Sequence, residues 1–487
     1  MNLSHERIIT TFDPPVGKGE FVLYWMQAAQ RIDFNPALEY AASESARFRL
    51  PLLVAFCVDA TLPETNLRHF RFMFEGLLEV ARNLEKIKVP LVLLNGKADE
   101  ILPLVSGNCA RLVCDSGCLN WQKELRRRLY EALELRGVPY TELDTETIVP
   151  VRRASIKEEY SAATLRSKLS KQMSDWLIDP GVPSFPHQTG AFALIKKVFL
   201  GTDYRLGSEL ETCRALEAWI GSSSPIDATV SPVRNFAGGH TCALSRLKEF
   251  ISERLPLYAS QHGDPGVPCQ SEISPYLHFG QISPLEICMS VFRDVNIDPL
   301  RLPELILHKA ELSGIYADVA AFMEELIVRR ELSWNFCNYN PLYDTYEAIP
   351  AWARLSLEAH QSDPRHWEYS LDRLENSDTH DPYWNAAQKE MLSCGKMHNY
   401  MRMYWGKKVI EWTPDPEEAF YRLVFLNNKY ELDGRDANAF AGIAWCFGKH
   451  DRPWQSRQVF GNVRYMNSAG LLRKFDMQRY LRRIGDL

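Results

Sequence analysis

Five short apolar runs in the first third of the chain alternate with stretches of helical spacing, and that alternation leaves few folds open. EFVLYWM (20–26), PLLVAFCV (51–58), VPLVLLN (89–95), ARLVCD (110–115) and VPYTEL (138–143) are apolar almost throughout. A strand that is apolar on both faces is buried on both faces. Between the runs, residues 36–49, 66–87, 98–106 and 120–136 carry apolar residues at helical spacing with charged outer faces. This succession predicts an α/β domain built on a doubly wound parallel sheet, with any ligand in the crevice at the strands' carboxyl ends. No G-x-G-x-x-G follows the first strand, and no G-x-x-x-x-G-K-[ST] occurs. Neither a standard dinucleotide fingerprint nor a phosphate-binding loop is expected.

From about residue 180 to 235 Pro, Gly and Ser become frequent (DPGVPSFP, GSSSPIDATVSP), and periodicity weakens. After Gly239 the pattern is helical almost throughout, beginning with the stripe Leu244, Leu247, Phe250, Ile251 and Leu255. The expected organisation is an α/β domain over 1–178, a connector over 179–235 and a larger all-α domain over 236–487.

Net charge is −6, but the sign is unevenly distributed. From Trp445 onward nine Lys and Arg face three Asp, so that segment is +6 and residues 1–444 carry −12. A basic patch on an acidic protein marks a localised polyanion site, unless it is a solvated helical face. The 11 cysteines are scattered, and Cys109, Cys114 and Cys118 match no zinc or iron–sulfur spacing. Free thiols in a reducing cytoplasm are expected. The start of the chain has no apolar signal-like stretch, and no run of about 18 apolar residues occurs, so neither secretion nor membrane insertion is predicted.

Four segments carry chemistry. In WNAAQKEMLSCGKMHNYMRMYWGKKVIEW (384–412), Asn399, Arg402 and Met403 fall at i, i+3 and i+4 and share a helix face, with Trp405 one turn beyond Arg402. An arginine on the inner face of such a helix needs an acceptor; the competing view is three core tryptophans and a surface arginine. In FMEELIVRRELSWNF (322–336), Glu331 and Trp334 at i, i+3 pair a carboxyl with an indole, which suits an aromatic base, or else Glu331 pairs with Arg329 or Arg330 at the surface. Ser271 and Ser274 precede a helix expected to open at Pro275, where a phosphate fits, although such serines also simply cap helices. Asn427, Asp433, Arg435, Asp436 and Asn438 crowd around one glycine turn, as the amide and amine edges of a purine or flavin would require.

These segments resemble those of the photolyase/cryptochrome family. YWMQAAQR (24–31), VRRELSWNF (328–336), ELDGRD (431–436) and the stretch from GKHDRPW to VFGNVRYMN (448–467) are similar to the class II branch of the cyclobutane-pyrimidine-dimer DNA photolyases, over residues 20–475. Ser456 and Asn462 depart from that pattern, standing where an acidic and a basic residue are expected.

The resemblance implies a U-shaped FAD in the helical domain, active as FADH⁻. Tyr258, Ser271, Ser274 and Gln281 would line its phosphate and ribose side. Arg402, Asn427 and Asp433 would surround the ring system, Asn427 near flavin N5 and Asp433 near the ring or adenine amines, while Asn399 would belong to the flavin or lesion pocket. The partner would be UV-damaged DNA whose dimer is flipped into a neighbouring pocket. Trp334, Met403 and Trp445 would form its walls, Glu331 would hydrogen-bond a thymine carbonyl, and Arg452 and Arg464 would hold the distorted duplex. Light would drive an electron from FADH⁻ to the dimer, split the ring and return the electron. Trp405, Trp384 and Trp412 would relay electrons from the surface to oxidised FAD, Trp405 nearest the flavin. An antenna, deazaflavin or folate, would sit in the sheet domain. A cytoplasmic monomer with no membrane partner is expected. The rivals are a cryptochrome-like photoreceptor, which shares the fold and flavin, 6-4 photoproduct repair, which favours histidine where this chain has Met403, and a light-independent DNA-binding flavoprotein.

Overall fold

The computed structural model describes residues 3–14, 19–181, 183–223 and 225–485. Its sheet contains β1 (Ile8–Phe12), β2 (Phe21–Trp25), β3 (Leu52–Val58), β4 (Leu91–Asn95), β5 (Cys109–Asp115), β6 (Tyr140–Leu143) and β7 (Tyr204–Leu206), in the order β1-β6-β5-β2-β3-β4-β7. The five strands expected from the apolar runs, β2 to β6, are all present and mutually parallel, with Tyr24 level with Val54 on one side and Val113 on the other. Alternate residues enter separate cores: Val22, Tyr24, Val54 and Phe56 on one face, Leu23, Trp25, Leu53 and Ala55 on the other. The short strands β1 and β7 were not expected, and both pair antiparallel at the edges. Neither has a continuous apolar run, because an edge strand is buried less completely.

Chain order reverses between β2 and β5, which opens the predicted crevice at their carboxyl ends. The connector does more than join domains. It supplies β7 and buries Leu210, Leu216, Trp219 and Ile220 in the sheet core. Residues before 178 in turn reach the helical body, where Ile148, Val149, Leu165, Leu169 and Trp176 share a core with Phe250, Tyr276 and Phe322.

The seam between sheet and helical body is polar at its centre. Arg31 is buried and donates to Glu146 Oε1 (2.9 Å), Thr145 O (2.9 Å) and Gly280 O (3.0 Å). Gly280, at φ +61°, lies so close to Ala28 that a Cβ there would fall 1.7 Å from the Ala28 carbonyl oxygen. The two bodies therefore hold a fixed relation, and the cavities between them are preformed.

The segment 384–412 is two helices rather than one: Pro382–Cys394 and Asn399–Trp412. Gly395, at φ +66°, ends the first in the left-handed conformation. The long helix from Gly314 to Tyr339 widens into a π-turn at Glu324–Arg329, a distortion found mostly where a helix serves a site.

Candidate active site

A cavity of about 470 Å³ opens into the helical body, and several chain segments wall it. The helix Asn399–Trp412 contributes Asn399, Arg402 and Met403, so its i, i+3, i+4 face is the inward one. Tyr258 enters from the helix Tyr258–Gln261, and Ser271 and Ser274 from the turn before Pro275. Asp433, Asp436 and Asn438 come from the glycine turn, Trp445 and Arg464 from the segment after it. That turn is tight: a Cβ on Gly434 would sit 2.8 Å from the Asn427 carbonyl oxygen.

Arg402 has the acceptors its position demands. Its Nη2 lies 3.0 Å from Glu431 Oε2 and 3.4 Å from Asp433 Oδ1, while its buried Nε has no protein partner. Burial would discharge the guanidinium, but the two carboxyls hold its pKa above the ordinary value. The carboxyls divide between them. Burial opposes charge on Asp433, but Arg402, Lys396 and a Ser274 hydrogen bond bring its pKa down to about 2. Glu431 is pushed up to about 8 by burial, against the pull of Arg402. Both carboxyls pair with Arg402, and the surroundings favour the ionised form of Asp433 and the protonated form of Glu431. At the hydroxyl side, Lys396 Nζ donates to Ser274 Oγ at 2.5 Å, placing a cation among the serines as an anionic ligand would need.

Some expected residues stand elsewhere. Gln281 is buried in the seam, where its Oε1 accepts from Gly239 N (2.7 Å) and its Nε2 donates to Phe72 O (3.2 Å). Both ends are engaged by backbone, and it does not line the cavity. Asn427 is buried under the glycine turn, its carbonyl accepting from Glu431 N, and supports that turn rather than lining the cavity. Glu331 and Trp334 do point the same way, but toward the sheet domain. Glu331 Oε1 accepts from Ile148 N at 2.7 Å. Trp334 lines a second cavity of about 180 Å³, in the crevice at the strand ends with Trp25, Phe56, Asp59, His69 and Trp121. The helix Gly314–Tyr339 is covered on opposite sides, and residue spacing alone does not say which side holds the ligand.

The carboxyl of this helix that does face the large cavity is Glu325, within the π-turn. Its pKa is raised by burial, against the attraction of Arg329 and His262. A signal for it exists in the sequence: Phe322, Glu325, Leu326 and Arg329 form an i, i+3, i+4, i+7 stripe, and all four line the cavity. Arg464 is exposed, its guanidinium 5.9 Å from the Trp445 ring and 5.0 Å from Trp454. Arg452 lies 5.8 Å from the Trp454 ring and does not line the cavity. Asn462 locks this loop, donating from Nδ2 to Trp454 O (2.9 Å) and from its backbone N to Ser356 Oγ (2.7 Å).

Trp405, Trp384 and Trp412 are stacked in that order. Trp405 and Trp384 lie 6.3 Å apart between ring centroids and near parallel, and Trp384 and Trp412 lie 5.5 Å apart at 64°. All three are buried, so Trp412 does not itself reach solvent.

A DNA photolyase family model matches residues 22–187. A deoxyribodipyrimidine photo-lyase of Methanothermobacter thermautotrophicus is 41% identical over 98% of this chain and 97% of its own. The chain belongs to the DNA photolyase family. A second relative of that name, from Potorous tridactylus, is 36% identical over 95% of this chain and 81% of its own. A (6-4)DNA photolyase of Arabidopsis thaliana is more distant, at 25% over 57% of this chain and 51% of its own. Among solved structures, a class III photolyase from Agrobacterium tumefaciens superposes with TM-score 0.65 at 18% identity, over 96% of this chain and 87% of its own. A Synechocystis cryptochrome gives 0.69 at 15% identity, over 96% and 89%. At such identities these two photolyase-family structures speak for the fold alone.

Proposed function

We infer that the protein is a deoxyribodipyrimidine photo-lyase, which uses light to split cyclobutane pyrimidine dimers in UV-damaged DNA. The observation that carries the site assignment is the Arg402–Asp433 pair, mostly shielded from solvent, in a cavity walled by Tyr258, Met403 and Trp445. The residues fit FAD. Lys396, Ser271 and Ser274 offer a cation and hydroxyls to its phosphates, and Arg402, with its unpartnered Nε, offers a donor to its ring system. Reduced FAD, when bound, supplies the electron that light releases to the dimer. The motifs favour the class II branch.

The chain's own groups bind, orient and protect. Trp445 and Met403 wall the place where a flipped dimer stacks. Glu325 takes the role expected of Glu331. Of the carboxyls lining the cavity, Asp433 is held ionised by Arg402, whereas Glu325 is shifted toward its protonated form. Protonated, it donates a hydrogen bond to a thymine carbonyl and stabilises the negative charge that develops there. Arg464 and Arg452, flanking Trp454 beside the cavity mouth, hold phosphates of the bent duplex, and the protein acts as a monomer. Trp405, Trp384 and Trp412 carry electrons inward to restore the reduced cofactor. The second cavity, which includes Trp334, suits a flat antenna chromophore. The absorption spectrum of protein from its native host distinguishes deazaflavin from folate.

The decisive experiment illuminates chemically reduced holoenzyme with an oligonucleotide holding one thymine dimer and counts restored thymines. Repair in blue light and none in the dark is expected. A signalling photoreceptor would bind flavin but restore no thymines, and a 6-4 enzyme would repair only the other lesion.

A further inference from the structure

The tryptophan column ends in a place that its electron-carrying role does not explain. Trp412 is 2% exposed, and its buried indole N–H has no acceptor. An indole that has lost an electron sheds its acidity through that N–H, so without a base beside it the hole stays as a strongly oxidising cation. Something must refill it quickly. On the outer side of Trp412 lies a separate cavity of about 390 Å³, also lined by Arg365, Trp367, Glu411, Arg457 and Tyr465.

The charge in this cavity is one-sided. Arg365 donates only to carbonyls, those of Gln361, Asp363 and Pro414, and its buried Nε has no partner. Arg457 lies over the Tyr465 ring at 4.2 Å, and among the described residues no carboxylate pairs with it. Glu411, the carboxylate of the wall, is already engaged by Lys408 at 2.8 Å. A second aromatic contact leads outward: Trp412 meets His380 at 5.5 Å, and His380 stacks on the half-exposed Trp367 at 4.5 Å. Two arginines without a carboxylate ion pair among the described residues, aromatic walls and an oxidisable buried ring together define a site for a small planar anion.

We propose that this cavity docks a small anionic one-electron reductant of the enediol class, which refills Trp412. The inference rests on the electron path assigned above. When an electron has moved inward along Trp384 and Trp405, Trp412 is one electron short. The bound monoanion gives up one electron and releases its remaining hydroxyl proton to water, becoming a radical anion. Trp412 returns to its closed-shell indole, and no bond to protein forms. The intramolecular competitor is Tyr369, whose ring is 5.0 Å from Trp412 and whose hydroxyl is 2.6 Å from His380 Nδ1.

Laser-flash absorption of the oxidised holoenzyme, with sodium ascorbate as donor, tests the site through the decay of the tryptophan radical. Docking predicts a decay rate that saturates with ascorbate, with half-saturation matching the dissociation constant from dark titration calorimetry. Arg457→Gln, at an exposed position that folding tolerates, should raise both constants about fivefold. A decay that is linear in ascorbate or independent of it, or constants unchanged in R457Q, overturns the docking site. Absence of any tryptophan radical in wild type overturns the electron path instead, and the dark titration then judges the site by itself.

Discussion

Two cavities meet across a wall formed by Leu277, Arg330 and Asp436, and they are built from different materials. The larger is charged, with Arg402, Lys396, Asp433 and Glu325 around it. The smaller, at the strand ends, presents mostly apolar surface, with Trp25, Phe56, Phe70, Trp121 and Trp334, and fewer charged residues, among them Asp59, Glu146 and Arg435. A group whose charge changes during a reaction needs fixed countercharges that are in place beforehand, because reorganising them would add to the barrier. A group that only absorbs light needs a flat, dry slot. The contrast supports chemistry in one cavity and light collection in the other, at short range.

Removing the countercharge should break this contrast most severely. Arg402→Ala leaves the buried Asp433 carboxylate with only Lys396 to oppose its charge, a loss of about 3–5 kcal/mol. Flavin affinity should fall about 100-fold or more, read from flavin retained after gel filtration; a variant that keeps its flavin would remove Arg402 from the site. Glu325→Gln should lower the repair yield about tenfold with flavin retained, whereas Glu331→Gln should leave the yield nearly unchanged. The reverse ranking would return the role to Glu331. Trp334→Ala should reduce antenna absorbance while repair driven by light absorbed in the flavin itself stays within about twofold. Equal losses in both would mean that the cavities are not separate in function.

The sheet was legible because a buried parallel strand is apolar on both faces, and the runs around Val22, Val54 and Val113 say so locally. Arg402, Met403 and Asn399 were legible because one helix face collects them. The orientation of the Gly314–Tyr339 helix was not. Glu331–Trp334 and Glu325–Arg329 are equally good stripes, and only packing against Ile148 on one side and the cavity on the other separates them. The π-turn, which holds Glu325 and Arg329 and ends before Glu331, adds a residue to the turn and is invisible to spacing arguments. Gln281 and Asn427 were misplaced for a related reason. A buried amide has the same signature whether it satisfies a ligand or a backbone, and here Gly239, Phe72 and the turn at Gly434 take that capacity.

Glu331 gives the finest test of the aromatic side of the wall, because its part there is thermodynamic. Its carboxyl is buried, with Oε1 accepting from Ile148 N and Oε2 unpartnered, and burial raises its pKa to about 8 in spite of Arg330 and Arg7. In the unfolded chain it titrates as an ordinary glutamic acid. Between about pH 4.5 and 8 the folded protein therefore holds a proton that the unfolded chain has released, and stability falls as pH rises through that window. Glutamine keeps the acceptor for Ile148 and carries no proton to lose. Glu331→Gln should consequently gain thermal stability over wild type on going from pH 5 to pH 8, by about 2 °C or more in melting temperature, followed by circular dichroism. The same variant should repair dimers normally at both pH values. A melting difference that does not change with pH would mean that Glu331 is ionised in the seam, paired with Arg330 or Arg7, and that this side of the helix is charged after all.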